Sequence, residues 1–315
     1  MIRDLVSTVI PVYNRAAMLR EAVASVLAQT WRPIEIVIVD DGSTDDTPAV
    51  AAALAATHPQ IVRCLRQDNA GPGVARQLGL EASQGELVQF LDSDDLLLPE
   101  KFALQVKGLR ADPEAGIAYG RAYASQGGRR ELHAAQRTGE RFRQLFPALL
   151  QGPLWPTMTP LYRRTALDAI GAWPGKRQLE DWVYDAQAAA LGIKLNYVDD
   201  YIAETRDHGE ARLCHLWMRD ASALRERAAA YVAVLAHAKR AGVASTAPEM
   251  QHFERSLFAM ARTAGRYGLP SEARQLFELA RATAINPGWD YRLFAAMAAV
   301  FGWQRASRWA ERLAG

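Results

Sequence analysis

Cysteine is nearly missing from this sequence: Cys64 and Cys214 stand alone in 315 residues. Two such thiols build neither a disulfide framework nor a cysteine metal cluster, and they suit a reducing compartment. Long apolar runs are missing too. The longest, Leu293 to Trp303, has 11 residues, too few to cross a bilayer as a helix. The first residues, MIRDLVSTVIPVYN, hold only a short apolar run and no small-residue cleavage site, so no signal peptide is expected. Neither G-x-x-x-x-G-K-[ST] nor a G-x-G-x-x-G after the first strand occurs. That argues against a P-loop NTPase and against a dinucleotide-dependent dehydrogenase. An excess of charge of one sign is also lacking: 37 Lys+Arg face 35 Asp+Glu, and no nucleic-acid partner is expected.

The near balance hides an asymmetry. Residues 216–315 carry 14 Lys+Arg against 8 Asp+Glu, while residues 1–215 carry 23 against 27. Four of the eight tryptophans, Trp217, Trp289, Trp303 and Trp309, also fall in that last hundred. Length and asymmetry together predict two modules, 1–215 and 216–315.

Within the first module, apolar runs alternate with helical periodicity. Strands are expected at Val6–Pro11, Ile34–Val39, Val62–Arg66 and Glu86–Leu91. Pro11 is expected to end the ladder of the first. Helices are expected at about Ala17–Gln29, Asp46–Ala56 and Val74–Ala82. This order predicts an α/β fold, a doubly wound parallel sheet with helices on both faces. Ligands of such sheets bind beyond the carboxyl ends of the strands. Tyr13-Asn14, Asp40-Asp41 and Asp92-x-Asp94 all stand at such ends.

The stretch GELVQFLDSDD is the most informative. A buried strand runs straight into Asp92, Asp94 and Asp95. Carboxylates gathered at a buried strand end repel one another and lose hydration, so they need compensation. In extended backbone, residues two apart point the same way, so Asp92 and Asp94 can reach one ion. Hard oxygen ligands select Mg2+ or Mn2+. An Asp-rich turn capping the next helix is the alternative on these residues alone.

The series VIPVYNR, EIVIVDDGSTDDT and NAGPGVARQLGLEASQGELVQFLDSDD resembles the family 2 glycosyltransferases of the GT-A fold. The likeness covers about residues 5–100, with four motifs in the family's order and spacing. It continues more loosely to about residue 210, through PLYRRTALDAIGAW and LEDWVYDAQAAALG. The resemblance implies a GT-A, Rossmann-like, mostly parallel sheet, here followed by a C-terminal α-helical module. It implies a metal-dependent, inverting hexosyl transfer from a nucleoside-diphosphate sugar of UDP, GDP or TDP type. A saccharide or lipid-linked hydroxyl acceptor and a place in cytoplasmic surface-polysaccharide or glycoconjugate synthesis go with it.

Residue by residue, the resemblance directs Pro11, Tyr13, Asn14, Asp41, Arg76 and Asp92 to the donor, with Tyr13 stacking on the base and Asp41 meeting its edge. It directs Asp92 and Asp94 to a Mn2+ or Mg2+ ion, with His208, in Arg206-Asp207-His208, a further metal or diphosphate contact. Asp181 of Glu180-Asp181-Trp182 takes the role of general base, and Glu180 orients the acceptor or braces the site. A well-capped helix start is the other reading of that acidic pair. Trp155 and Trp182 are either sugar platforms or core.

Two other functions deserve comparison. A nucleotidyltransferase would carry a basic, Gly-rich signature near the N-terminus, which residues 11–20 lack. An inert scaffold with a partner-binding helical module would not need Asp92, Asp94 and Asp181. From Leu216 onward helices are expected at 216–241, 250–267, 271–285 (capped by Ser271), 289–301 and 304–313. This basic, Trp-bearing module suits either peripheral contact with an anionic membrane or packing on a second subunit or on the catalytic domain.

Overall fold

The computed structural model describes residues 1–207 and 220–312. Its first half is the expected alternation. Strands β1 (Ile2–Val12), β2 (Ile34–Asp40), β3 (Val62–Arg66) and β4 (Gly85–Phe90) are joined by helices α1 (Ala16–Leu27), α2 (Thr47–Thr57) and α3 (Pro72–Ala82). Then come β5 (Leu96–Leu97), α4 (Lys101–Ala111), β6 (Ala115–Gln126), β7 (Arg129–Ala134), β8 (Leu161–Arg163), α5 (Arg164–Ile170), α6 (Glu180–Ala190) and β9 (Lys194–Asp207). Among the described residues these nine strands form one sheet, ordered β3-β2-β1-β4-β8-β6-β9-β5, with β7 on β6. Pairing directions make β1 to β4, β6 and β9 run one way, with β5, β7 and β8 opposed.

The period-2 alternation of β2 explains the layers. Ile36 and Ile38 pack with Leu19, Val23 and Val26 of α1 and with α4 residues Phe102 and Val106. Val37 and Val39 face the other way, against Ala75 and Leu78 of α3. Both faces of the strand are therefore covered, and the whole of β2 is buried. Gly79 lets α3 lie close on β1, since a Cβ there would sit 2.3 Å from a Val9 methyl carbon.

Pro11 does not end the first strand. It pairs with Val39, and Val12 pairs beyond it with Asp40. The reason is directional. Val9 faces β4, where its carbonyl accepts from Leu91 N–H at 3.0 Å. Pro11, two residues on, faces the same side just past the end of β4, so its missing N–H breaks no ladder bond.

The chain divides into two compact units. One comprises the described residues of Met1–Leu145, Pro153–Lys176 and Leu191–Glu210, and the other those of Phe146–Gly152, Arg177–Ala190 and Ala211–Gly315. The second unit thus holds α6 together with α7 (Ala221–Arg240), α8 (Pro248–Arg266), α9 (Pro270–Thr283), α10 (Trp289–Phe301) and α11 (Trp303–Arg312). Its core is aromatic: Phe258 stacks on Tyr291 at 4.3 Å and meets Phe294 edge-on at 5.4 Å. Trp182 of α6 packs edge-on against Tyr231 and Phe253 and donates its indole N–H to Leu149 O. Ser271 is not the cap of α9. Leu269 holds that position and Pro270 opens the helix, where a missing N–H costs nothing.

Lys101, in the first turn of α4, is wholly buried and donates to Gln105 Oε1 at 2.5 Å and Thr159 O at 2.8 Å. Burial holds its ammonium well below the ordinary lysine value of 10.5. A lowered folded value means the unfolded chain binds the extra proton between that value and 10.5, so stability rises with pH across this window. One proton sets the ceiling at about 1.4 kcal/mol per pH unit. Urea unfolding between neutral and alkaline pH is expected to show this slope in the wild type and a flatter one in Lys101→Met. Equal slopes would place the charge of Lys101 in solvent.

Candidate active site

The register of β1 gathers the strand ends. Val12 lies opposite Asp40 and Val9 opposite Phe90, so the segments leaving β1, β2 and β4 emerge at the same end of the sheet. Asp41 N–H donates to Val12 O at 2.9 Å. Asn14, with φ of +51°, ties the first two segments together. Its N–H donates to Ser43 Oγ at 2.9 Å, and its side-chain oxygen accepts from Thr44 N–H at 2.8 Å. Tyr13 stands beside this clamp with 46% of its surface exposed. A ring so placed has a face to offer.

Asp40 and Asp41 are both buried. Asp40 accepts from Ser43 N–H at 3.0 Å and pairs with Arg66 at 3.0 Å. Asp41 takes three hydrogen bonds: Gln67 Nε2 and Ala70 N–H on one oxygen, each at 2.8 Å, and Gly71 N–H on the other at 2.9 Å. A carboxylate has about four acceptor positions, so roughly one is left for a ligand donor.

After β4 the chain turns rather than running on extended as expected, and the Asp95 N–H donates to Asp92 O at 3.1 Å. Asp92 and Asp94 are partly exposed, while Ser93 and Asp95 are buried. Arg76 of α3, only 3% exposed, reaches Asp92 Oδ1 at 2.7 Å. Its guanidinium lies 4.8 Å over the ring of Trp173, which itself meets Phe90 edge-on at 4.9 Å. From the end of β9, Arg206 fastens the same turn. Its N–H donates to Asp95 Oδ1 at 3.0 Å, its Nε donates to Asp94 O at 2.6 Å, and it pairs with Glu21. Burial first, then the charges of Asp94 and Asp92, hold the Asp95 carboxyl well above the usual carboxylate range.

Among the described residues no three His, Cys, Asp or Glu side chains group as a metal centre. Two partly exposed carboxylates nevertheless fit a hard cation, since Mg2+ commonly takes one or two carboxylates and completes its shell with substrate phosphate and water. His208 lies outside the described residues.

The Glu-Asp-Trp segment opens α6 in the other unit. Leu179, just before it, adopts φ of +56°, a left-handed conformation costing a leucine about 1–3 kcal/mol. Glu180 is buried and Asp181 partly exposed, with its Oδ1 accepting from Trp182 N–H at 2.8 Å. Negative charge is favoured here by the positive end of the helix dipole. Trp155 and Trp182 are both buried, Trp155 against Tyr119 at 5.0 Å. Neither presents a sugar platform; both are core.

Trp173, Asp95, Gln67 and Arg206 were not among the expected site residues. The strand parity read from the sequence was no guide to Asp95, because residues 92–95 form a hydrogen-bonded turn rather than extended chain. Trp173 had no signal beyond its place in the GAW tripeptide, 97 positions from Arg76.

The model of glycosyl transferase family 2 matches residues 7–171. The glycosyltransferase alr2836 of Nostoc sp. is 36% identical over 170 residues, 52% of each chain. The glycosyltransferase YibD of Escherichia coli is 41% identical over 96 residues, 30% of this chain and 28% of that one. EpsH of Bacillus subtilis, a glycosyltransferase by its description, is 28% identical over 213 residues, 64% of this chain and 61% of that one. The chain thus spans less than two thirds of the length of each of these relatives. Among solved structures, Staphylococcus aureus TarS 1-349 in complex with UDP-GlcNAc aligns with a TM-score of 0.66 at 16% identity, over 98% of this chain and 92% of that one. The mannosyltransferase PcManGT of Pyrobaculum calidifontis, in complex with GDP-Man and Mn2+, aligns with a TM-score of 0.56 at 20% identity, over 96% and 85%. At these identities the structural likeness concerns the fold.

The pairing of Arg76 has a measurable consequence. Asp92→Asn removes the carboxylate 2.7 Å from a buried guanidinium, and because Asp92 is 31% exposed the expected loss of unfolding free energy is about 1–3 kcal/mol, below the fully buried case. An unchanged unfolding free energy in chemical denaturation would show that the Arg76–Asp92 pair contributes nothing of its own.

Proposed function

The chain belongs to glycosyl transferase family 2, and from that membership we propose a metal-dependent, inverting transfer of a hexosyl group from a nucleoside-diphosphate sugar to a hydroxyl acceptor. The observation that carries the proposal is the turn after β4: Asp92 and Asp94 stand partly exposed at the strand end, beside a buried arginine. Complexes of fold relatives with UDP-GlcNAc and with GDP-Man and Mn2+ support the donor class.

In this reading Tyr13 stacks on the base. Asp41 accepts a base N–H through its remaining position, which suits uracil, thymine or guanine. Pro11 and Asn14 set the course of the loop that carries Tyr13. Asp92 and Arg76 serve the ribose and diphosphate. Asp92 and Asp94 would hold a Mn2+ or Mg2+ ion, which when bound supplies charge neutralisation to the departing diphosphate. Asp181 takes the proton of the acceptor hydroxyl as general base. The acceptor oxygen bonds to the anomeric carbon, the bond to the phosphate oxygen breaks, and its electron pair leaves with the nucleoside diphosphate. Attack opposite the leaving group inverts the configuration. Glu180 orients the acceptor or braces this helix start.

We assign residues 1–215 to the catalytic domain and 216–315 to a helical module. The proposed acceptor is a saccharide or a lipid-linked saccharide, in cytoplasmic synthesis of a surface polysaccharide or glycoconjugate. Among the described residues no helix is long and apolar enough to cross a membrane.

Two variants separate binding from chemistry. Asp94→Ala is expected to abolish cation-dependent binding of the nucleoside diphosphate, because a ligand oxygen is lost. Asp181→Asn keeps the side-chain shape and is expected to bind donor normally while transfer falls by about 10²–10⁴. Calorimetry and a transfer assay read the two effects. Wild-type transfer by Asp181→Asn would move the base elsewhere, with Glu180 the next candidate. Lost donor binding in that variant would make the acidic pair structural.

Tyr13→Ala is expected to weaken nucleotide binding by about 1 kcal/mol, the scale of one stacking contact. An unchanged dissociation constant would place the base away from Tyr13.

A further inference from the structure

Helix α10 has an unusual composition for a surface helix. Its 13 residues, WDYRLFAAMAAVF, contain only two charges, Asp290 and Arg292, both near its start. One stripe, Tyr291, Phe294 and Ala298, is buried against Phe258 and Phe277. The opposite stripe is just as apolar but faces outward. Trp289 is 76% exposed and Val300 72%, with Leu293 and Ala296 between them at helical spacing. Phe301 extends the patch and packs against the half-exposed Trp309 at 4.8 Å. A helix that is apolar all round normally lies in a protein core or in lipid. At ~1.5 Å per residue, 13 residues reach about 20 Å, short of a bilayer core.

The surroundings of the patch are cationic. Beside it, α8 and α10 enclose a groove of about 580 Å³ whose walls include Arg255 and Arg262 along with Trp289, Leu293 and Met297, Asp290 being its carboxylate. Arg292 of α10 and Arg305 and Arg308 of α11 are also exposed. Exposed aromatic and aliphatic side chains beside arginine match the headgroup–acyl boundary of an anionic bilayer, where Trp and Phe settle and arginine meets lipid phosphate. A second copy placed face to face would bring these arginines against one another, which disfavours it as the occupant.

We propose that the outward stripe of α10, with the α8–α10 groove, docks the protein peripherally on an anionic phospholipid surface. The stripe enters the interface and the arginines hold lipid phosphate. The proposal is independent of the donor-site reading, because none of these residues has a role there.

Vesicle co-sedimentation of the full chain tests it. Vesicles with about a quarter phosphatidylglycerol in phosphatidylcholine are expected to bind the wild type, and neutral phosphatidylcholine vesicles to bind it much less. Raising salt from ~0.05 M to ~0.5 M should release it. Trp289→Ser with Leu293→Ser is expected to lower the partition coefficient by about tenfold or more. Arg255→Gln and Arg262→Gln should each lower it by roughly fivefold. Unchanged nucleoside-diphosphate affinity and melting temperature in these variants would confirm that only the docking face was altered. Absence of sedimentation at low salt overturns the proposal. So does a dimer in light scattering that Trp289→Ser with Leu293→Ser converts to a monomer, because a second copy would then be what covers the face.

Discussion

Carboxylates crowd the carboxyl end of this sheet, and their compensation is the constraint on which the surrounding loops depend. Each buried carboxyl group draws a separate piece of chain toward it. Asp41 gathers the 67–71 loop through three donors, Asp40 holds Arg66 and Ser43, and Asp95 is tied to the end of β9 through Arg206. Asp92 is matched by a guanidinium that has almost no solvent of its own. A low-dielectric setting makes any one of these pairings costly to break from one side. Segments far apart in the chain are thereby fixed around the exposed faces of Tyr13, Asp92 and Asp94. This arrangement is polar scaffolding first, and the proposed donor binding builds on it.

The acidic pair of α6 rests on a different support. Its helix packs within the unit that contains α7 to α11, through Trp182 against Tyr231 and Phe253. The Arg177 N–H donates to Glu226 of α7 at 2.7 Å, adding a second link just upstream. The C-terminal helices therefore hold the start of α6 in place, and a chain cut near residue 215 would lose that packing. A left-handed leucine at the start of the helix is tolerated only where the surroundings over-determine it. Support of α6 and the proposed lipid contact then rest on different helices of this unit, α7 and α8 for the first and α10 with the α8–α10 groove for the second.

Much of the fold was legible because its signals are local. IEIVIV reads as a central strand from β-branching alone, and the structure buries all of β2. The strand–helix alternation gave the doubly wound order, and the motifs of residues 9–95 gave the family. The extended run expected for Asp92 and Asp94 is instead a turn, closed by the Asp95 N–H on Asp92 O. What the sequence hid is non-local. Nothing near Arg76 announces that Trp173 lies under it, or that Arg206 returns 112 positions later to fasten Asp94. Pro11 misled for a similar reason: whether its missing N–H matters depends on where the neighbouring strand stops. The tryptophans of the middle segment were ambiguous because indole serves equally as core and as sugar platform, and only burial separates the two uses.

The central claim is that the strand-end carboxylates bind a nucleoside diphosphate through a divalent cation. Calorimetric titration of the wild-type protein with UDP, GDP, TDP and CDP, with Mn2+ and then with chelator, tests it most directly. At least one nucleotide is expected to bind in the presence of Mn2+ and to lose most of its affinity when the ion is removed. Equal affinity with and without the ion, or no binding by any of the four, would contradict it.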